Sequence, residues 1–359
     1  MNTAVARIAA GVAASIMVGL GCWWLLAPDQ IPFTGLARLR IGHLLPDRLI
    51  GLPLLLGGLA GVALVALLPR IPAAAGRLSA AALGVGVFVA YQGNGTLSVL
   101  GYALAVAVPP LLVAGLVVGL VRVPRLRLPL VLLVTGGLGL GAVAGFGDPA
   151  GWQGLLAFAP RVFGNLLVLA VPLILAVCGG WFWLAVALDP APFDRVLRWT
   201  TRHRRPITIA AAACFLPYAV IRLLWLAGIA LDGPLFGVGG PGAPTELDLG
   251  TRLWGASLGV ASILGALAVL GLICRWGEVF PRRLPVLGGR PVPVPLAVVP
   301  GTLAGIAFLA MLPKAVSGIV EEFPRSLVTA LVMPFPVWGP LLILAVAGYL
   351  GHRRGPAGR

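Results

Sequence analysis

An arginine within an apolar stretch is the first residue of this sequence whose position suggests chemistry. Arg222 lies in PYAVIRLLWLAG, residues 217–228, and the surrounding run, residues 207–229, has no other charged side chain. A charge inside a membrane-length apolar run is costly and usually has a function. Its guanidinium can contact an anionic group. Trp225 lies on the same helix face and Tyr218 one turn earlier, so these three residues form the candidate binding site.

The helix that carries Arg222 is expected to kink. Pro217 has no backbone N–H, so the carbonyl of Ala213 loses its usual partner, and the chain bends just before Arg222. A kinked helix can present the guanidinium to a cavity. The alternative is that Arg222 extends to the outer surface or pairs with an acid predicted to lie there. The candidate acids are Asp232, Asp248, Glu321 and Glu322.

A second candidate site is the basic, proline-rich stretch RWGEVFPRRLPVLGGRPVP, residues 275–293. Its prolines prevent a long helix. Glu278 can bridge to Arg275, Arg282 or Arg283. We interpret the stretch either as a docking loop for a partner or anionic lipid headgroups, or as a solvated positive loop. The candidate docking residues are Arg275, Trp276, Glu278, Arg282, Arg283 and Arg290.

The run RWGEVFP, followed by a basic stretch and GGRPVP, resembles a motif of uncharacterised polytopic membrane proteins of actinobacteria. In those proteins a helix like PYAVIRLLWLAG precedes the motif. The resemblance covers roughly residues 210–310. It implies a membrane topology, and it implies no activity and no catalytic residues.

The sequence contains no pattern typical of an enzyme or a metal protein. Four widely spaced cysteines, Cys22, Cys178, Cys214 and Cys274, form no CxxC pair and no cluster with histidine. HExxH and Walker motifs are missing from the sequence. We therefore predict no enzymatic activity, no cofactor and no metal.

The composition defines the class of protein. Of 359 residues, 59% are hydrophobic and only 10% are charged, whereas soluble proteins have about 25% charged residues. Such a chain cannot cover itself with polar surface in water, so we predict an all-α, polytopic membrane protein in a single integral membrane domain. Arginine greatly outnumbers lysine, and Ala, Gly, Val and Pro are abundant. That usage is typical of a GC-rich bacterial genome and predicts the bacterial plasma membrane.

Apolar runs of roughly 17–25 residues predict about ten crossings. A polar turn at 92–95 separates the third crossing from the fourth, and a re-entrant segment within 77–121 is the alternative. The predicted crossings are 8–27, 49–69, 77–92, 98–121, 128–146, 164–188, 207–231, 252–274, 293–313 and 327–350.

The charges predict the orientation of these crossings. With both termini in the cytoplasm, most of the 26 Lys and Arg residues lie in inner segments and most of the 11 acids lie outside. The net charge of +15 then meets anionic headgroups of the inner leaflet. Lipid is therefore the predicted partner, nucleic acid is not, and any protein partner stays unidentified.

Two further patterns concern packing. Gly137, Gly141 and Gly145 recur every four residues and predict a face for close helix contact. Helices one to four and seven to ten resemble each other, which suggests a parallel repeat, 1–127 and 206–359, around an insert, 128–205. The alternative is coincidence, since Leu, Ala, Val and Gly dominate throughout.

Two functional hypotheses follow. The first is a carrier or solute-binding membrane protein in which Arg222 contacts an anionic group; parallel repeats occur in transporters. The second is a non-catalytic membrane component that docks a partner or lipid headgroups through residues 275–293.

Overall fold

The computed structural model describes residues 2–32, 45–93, 95–97, 99–100, 131, 135, 166–229, 249–282, 288–312, 315–316 and 330–355. Within these ranges the chain is helical, and β-structure is limited to one bridge between Val279 and Pro291. The α-helices with defined bounds are α1 (Thr3–Leu26), α2 (Gly51–Leu67), α3 (Ala73–Tyr91), α4 (Leu167–Leu188), α5 (Ala191–Arg202), α6 (Arg204–Ala213), α7 (Leu216–Leu224), α8 (Leu249–Leu270), α9 (Val294–Ala310) and α10 (Phe335–Arg354).

Six helices in the described ranges are long and apolar enough to cross a membrane. They coincide with six of the predicted crossings, and the apolar parts of α8 and α9 coincide with two more but are shorter. The predicted crossings at 98–121 and 128–146 lie almost wholly outside the described residues. The six spans are Thr3–Leu26, Asp47–Leu67, Ala73–Tyr91, Val168–Leu188, Arg204–Ala227 and Ala330–Arg354.

The spanning helices expose apolar side chains on their outer surfaces. Leu56 of α2 is 56% exposed and Leu169 of α4 is 69% exposed. Helices that are apolar all round are typical of membrane spans, because lipid covers the faces that other helices do not. The all-helical fold and the presence of membrane-length helices therefore agree with the sequence prediction.

The first compact unit is a bundle of α1, α2, α3 and α4. In it α1 packs against α2 and α4, and α3 packs against α4. Trp181 of α4 is completely buried, and its indole Nε1 lies 3.3 Å from the sulfur of Met17. At the other end of the bundle, the Tyr91 hydroxyl donates to the carbonyl of Ile50 at 2.6 Å.

Glycines set the spacing of this first unit. A Cβ atom at Gly21 would lie 2.5 Å from the backbone nitrogen of Leu55, and one at Gly58 would lie 2.9 Å from the carbonyl of Ala14. Helices approach this closely only where the side chain is a hydrogen atom. The predicted glycine face at 137, 141 and 145 lies outside the described residues.

The second compact unit contains α6, α7, α8, α9 and α10. Here α6 packs against α8 and α10, and α7 packs against α8. Ala211, Ala345 and Tyr349 are buried in its core. The predicted repeat, its insert and the cytoplasmic placement of both termini stay predictions. Within the described residues α4, which the repeat would assign to the insert, packs on α1 and α3.

Candidate functional site

The span that carries Arg222 is broken. Helix α6 ends at Ala213, α7 begins at Leu216, and Cys214 and Phe215 form a turn between them. The amide of Phe215 bonds to Ala212 rather than to the residue four positions back. The helix is therefore interrupted just before Pro217, at the place where the sequence predicts a kink.

The break is stabilised by the neighbouring helix. The carbonyl of Phe215 accepts from the amide of Ala219 at 3.1 Å and from the hydroxyl of Ser262 at 2.9 Å. Ser262 belongs to α8 and is buried. A polar group inside a membrane needs such a partner, because lipid offers none. The bend is thus part of the packing of α7 against α8.

Arg222 lies between two aromatic rings. Its Nε donates to the hydroxyl of Tyr218 at 3.0 Å, and its guanidinium carbon lies 5.1 Å from the Tyr218 ring centroid. The same carbon lies 4.3 Å from the ring of Trp225, which is only 4% exposed. Cation–π contacts of this kind orient a guanidinium without neutralising its charge. We call Tyr218, Arg222 and Trp225 the Arg222 cluster.

Two glycines of α8 make room for the Arg222 cluster. A Cβ atom at Gly255 would overlap the indole of Trp225, and one at Gly259 would lie 3.2 Å from Cβ of Arg222. These glycines are four residues apart and so share one helix face. Gly255 and Gly259 have the same four-residue spacing as Gly137, Gly141 and Gly145, for which the sequence predicts close helix contact.

The charge of Arg222 has no acidic partner among the described residues. In those ranges the ion pairs join Arg77 to Asp189, and Arg204 and His352 to Glu278. The outer acids that could neutralise Arg222 lie outside the described residues, so that alternative stays a prediction. They are Asp232, Asp248, Glu321 and Glu322.

The second predicted site, residues 275–293, forms a short antiparallel clip. Val279 and Pro291 make the β-bridge, the amide of Phe280 donates to the carbonyl of Arg290, and the amide of Gly289 donates back to Phe280. Gly289 has φ of 78°, a conformation that favours glycine. Arg275, Trp276, Arg282 and Arg290 are exposed, and Arg283 lies outside the described residues.

The clip is fastened to the ends of α6 and α10. Arg353 donates to the carbonyls of Glu278 at 3.4 Å and Val292 at 3.0 Å, one on each strand of the clip. Tyr349 donates to the carbonyl of Gly277 at 3.0 Å. These three hydrogen bonds hold both strands against α10.

Glu278 makes different ion pairs from those that the sequence suggested. Its carboxylate lies 3.0 Å from Nε2 of His352 and 3.4 Å from a terminal nitrogen of Arg204. The described ion pairs of Glu278 do not include Arg275 or Arg282. Because α6 packs on α10, the ends of both helices meet beneath the clip, and residues distant in sequence reach Glu278.

Replacing Arg353 by alanine is expected to loosen the clip. The carbonyls of Glu278 and Val292 lose a charged donor, and this loss should destabilise the clip by about 1.4 kcal/mol or more. The amides of Phe280 and Gly289 should therefore exchange with deuterium about tenfold faster. Hydrogen–deuterium exchange read by mass spectrometry measures this. The matched control is Arg354→Ala, which removes an exposed charge next to it. Equal exchange in both variants would contradict the anchoring role.

A separate groove lies in the first unit. It has a volume of about 660 Å³ and is lined mainly by apolar and small residues of α1, α2 and α3, including Met17, Gly57, Leu83 and Val87. Its lining carries no charged side chain. It can therefore accommodate a hydrocarbon chain, and it offers nothing to bind an ion.

In the described ranges no group of three or more His, Cys, Asp or Glu side chains could hold a metal.

By the length and composition of its helices, the described chain is that of a helical membrane protein. No family model, curated protein or solved structure matches it. Any more specific function must therefore be argued from the chain's own residues.

Proposed function

We propose that the protein is a carrier or solute-binding membrane protein in which Arg222 contacts an anionic group of the solute. The observation that carries this proposal is the position of the guanidinium between Tyr218 and Trp225 on a broken membrane helix. Helices interrupted at membrane depth are typical of transporter binding sites. An enzymatic role has no supporting constellation in the described residues.

The depth of Arg222 supports the proposal. It lies inside the apolar span Arg204–Ala227, five residues or about 8 Å before the end of that span. A charge at that depth is retained only where it has a polar or aromatic environment. The Arg222 cluster supplies the aromatic environment, and we propose that an anionic group of a solute supplies the counter-charge, which no acid of the described residues provides.

The geometry of Arg222 also favours an anionic group with two oxygens. With Nε bonded to Tyr218, the two terminal nitrogens of Arg222 form the edge of the guanidinium that matches the two oxygens of a carboxylate or phosphate. Trp225 is buried beside it and its Nε1 has no hydrogen-bond partner among the described residues. We propose that Arg222 forms a bidentate contact with the solute.

Thermal unfolding in detergent tests this proposal. A panel of carboxylates, amino acids and phosphate esters is added to the wild type and to Arg222→Leu. A ligand at a hundred times its dissociation constant adds about 2.7 kcal/mol to the stability of the wild type, which raises its melting temperature by several degrees. Arg222→Leu is expected to show no increase with the same ligand.

Arg205→Leu is the matched control, because Arg205 is an exposed residue of the same broken span. It should keep the ligand-dependent increase. An increase that persists in Arg222→Leu would disprove the binding role. If no ligand raises any melting temperature and Arg222→Leu is simply less stable, Arg222 is a structural residue. Uptake into proteoliposomes then separates a carrier from a binding protein.

A second function is favoured by a specific observation, the exposure of Arg275, Trp276, Arg282 and Arg290 on a clip whose backbone is anchored. An anchored basic surface at the inner membrane face fits a docking role for anionic headgroups. The same exchange measurement, in bilayers with and without anionic lipid, tests it. Slower exchange of the clip with anionic lipid is expected, and unchanged exchange argues against lipid docking.

A further inference from the structure

Helix α5 (Ala191–Arg202) joins two membrane-length spans. Only Asp189 and Pro190 separate it from α4, and only His203 separates it from α6. A residue reaches at most about 3.6 Å, so these links hold both ends of α5 within roughly 10 Å of the spans. The helix therefore lies at the membrane surface, on the side predicted to be cytoplasmic.

The two sides of α5 differ sharply in chemistry. At about 100° per residue, Phe193, Val196 and Trp199 fall on one side of the helix, and the arginines fall on the other. The rest of the chain covers these apolar side chains only in part, since Phe193 is 38%, Val196 46% and Trp199 51% exposed. The arginines are Arg195, Arg198 and Arg202.

Both ends of α5 are held in place. At its start, Asp189 accepts from the amide of Ala191 at 3.1 Å and pairs with Arg77 of α3. At its end, Thr200 is completely buried, and its carbonyl lies against Gly348 of α10, where a Cβ atom would be 2.9 Å away. Each end of α5 thus packs against a different helix, and at the second end Thr200, which lies on the same side as Phe193 and Val196, is covered by protein.

We propose that α5 is an interfacial helix that inserts Phe193, Val196 and Trp199 between the headgroups and acyl chains of the leaflet. Its arginines then bind the phosphates of anionic lipids. Helices with an apolar side of this kind and a polar side rich in Lys and Arg bind membrane surfaces in this way. Asp194 is the only acid within α5, so the helix carries a net positive charge that complements an anionic leaflet.

Lipid is favoured over water and over a protein partner as the occupant. The arginines that flank the apolar side complement an anionic leaflet, and an apolar side with a basic flank is typical of a helix that lies in the headgroup region. Tryptophan is also enriched at the level of the headgroups, where its ring is apolar and its N–H finds polar partners. Trp199 is at that level because α5 follows directly from the end of α4.

Site-directed spin labelling of the full chain in vesicles tests the proposal. Nitroxides are attached to single cysteines introduced at residues 193, 196 and 199, and, as matched controls, at residues 195, 198 and 202, with Cys22, Cys178, Cys214 and Cys274 replaced by alanine. Collision with oxygen, which is concentrated in lipid, is compared with collision with a water-soluble nickel complex. The first set should collide mainly with oxygen and the second set mainly with nickel.

The outcomes are distinct. Equal nickel collision in the two sets means that the apolar side faces water, and shielding of the first set from both reagents means that protein covers it; either result overturns the proposal. Vesicles of phosphatidylcholine alone and with phosphatidylglycerol separate the roles of the two sides. Phosphatidylglycerol should increase the depth at which the nitroxides of the first set lie in the bilayer. Arg195→Gln, Arg198→Gln and Arg202→Gln together should abolish that increase. No dependence on phosphatidylglycerol disproves the phosphate contact.

A second measurement avoids the cysteine replacements. The tryptophan emission of Trp199→Phe is subtracted from that of the wild type, and the difference spectrum isolates Trp199. Lipids brominated near the headgroup should quench this difference signal by at least half. An unquenched, red-shifted signal places Trp199 in water and overturns the proposal.

Discussion

Replacing Trp181 by alanine is expected to destabilise the protein by about 2 kcal/mol or more. The side chain is completely buried, and its ring fills the space above Gly61 that any larger residue would occupy. In water-soluble cores Trp→Ala costs about 3–5 kcal/mol. Part of that cost is transfer from water, which is absent when the unfolded helices stay in detergent or lipid. What remains is the cavity and the lost contacts of the ring with Met17 and Gly61.

Trp183→Ala is the control for this prediction. Trp183 lies on the same helix, two residues further on, and is 41% exposed. Its removal should change the free energy of unfolding by less than about 0.5 kcal/mol. Unfolding in dodecyl sulfate, read by the reactivity of the buried thiol of Cys178, measures both variants. Equal destabilisation of the two would contradict the packing of α4 against α1 and α2.

The sequence analysis located most of the described spans because composition alone determines them. A helix such as Thr3–Leu26 is recognised by its length and by its lack of charge, and no knowledge of its neighbours is needed. The same reasoning placed Pro217 at a kink and put Tyr218 and Trp225 beside Arg222, because all three relations are local along one helix.

The contacts that complete each site join distant parts of the chain and could not be predicted locally. Ser262 stabilises the break at Phe215, 47 positions away, and Gly255 opens space for Trp225. Glu278 was expected to pair within its own loop, but it meets Arg204 and His352. Which partner a residue finds depends on how the helices pack, and one sequence does not determine that.

Helix α5 is the element that the sequence analysis missed despite a local signal. Its apolar residues recur at helical spacing with arginines between them, which is typical of a surface helix. The segment lies between the predicted crossings 164–188 and 207–231 and is too short and too charged to count as a membrane-length apolar run. A test of the helical period in every loop would have found it.

The predicted repeat has a partial parallel in the packing. In the first unit, Gly21 and Gly51 bring α1 close to α2; in the second, Gly259 brings α7 close to α8, and Gly255 lies against Trp225 just after α7. Gly51 and Gly255 also end two similar pentapeptides, DRLIG (47–51) and TRLWG (251–255). Close packing of this type is common to many membrane helices. The repeat itself therefore stays a prediction.

Gly21→Ala is expected to separate α1 from α2. The new methyl group would lie 2.5 Å from the backbone nitrogen of Leu55, 2.8 Å from its Cα and 2.9 Å from the carbonyl oxygen of Gly51. These are backbone atoms, so no rotamer change relieves the overlap and a whole helix must move. Overpacking costs about 1–3 kcal/mol where side chains can adjust, and we expect the upper end of that range or more here.

Gly19→Ala separates this effect from the general preference of helices for alanine. Gly19 lies on the same helix, and a Cβ atom there would meet nothing within 4 Å. Because alanine favours the helix by about 1 kcal/mol over glycine, Gly19→Ala should leave the melting temperature unchanged or raise it, while Gly21→Ala should lower it by several degrees. If both variants were equally stable, α1 and α2 would not be in contact at Gly21. Opposite shifts of the two would establish that the packing of these helices depends on that glycine.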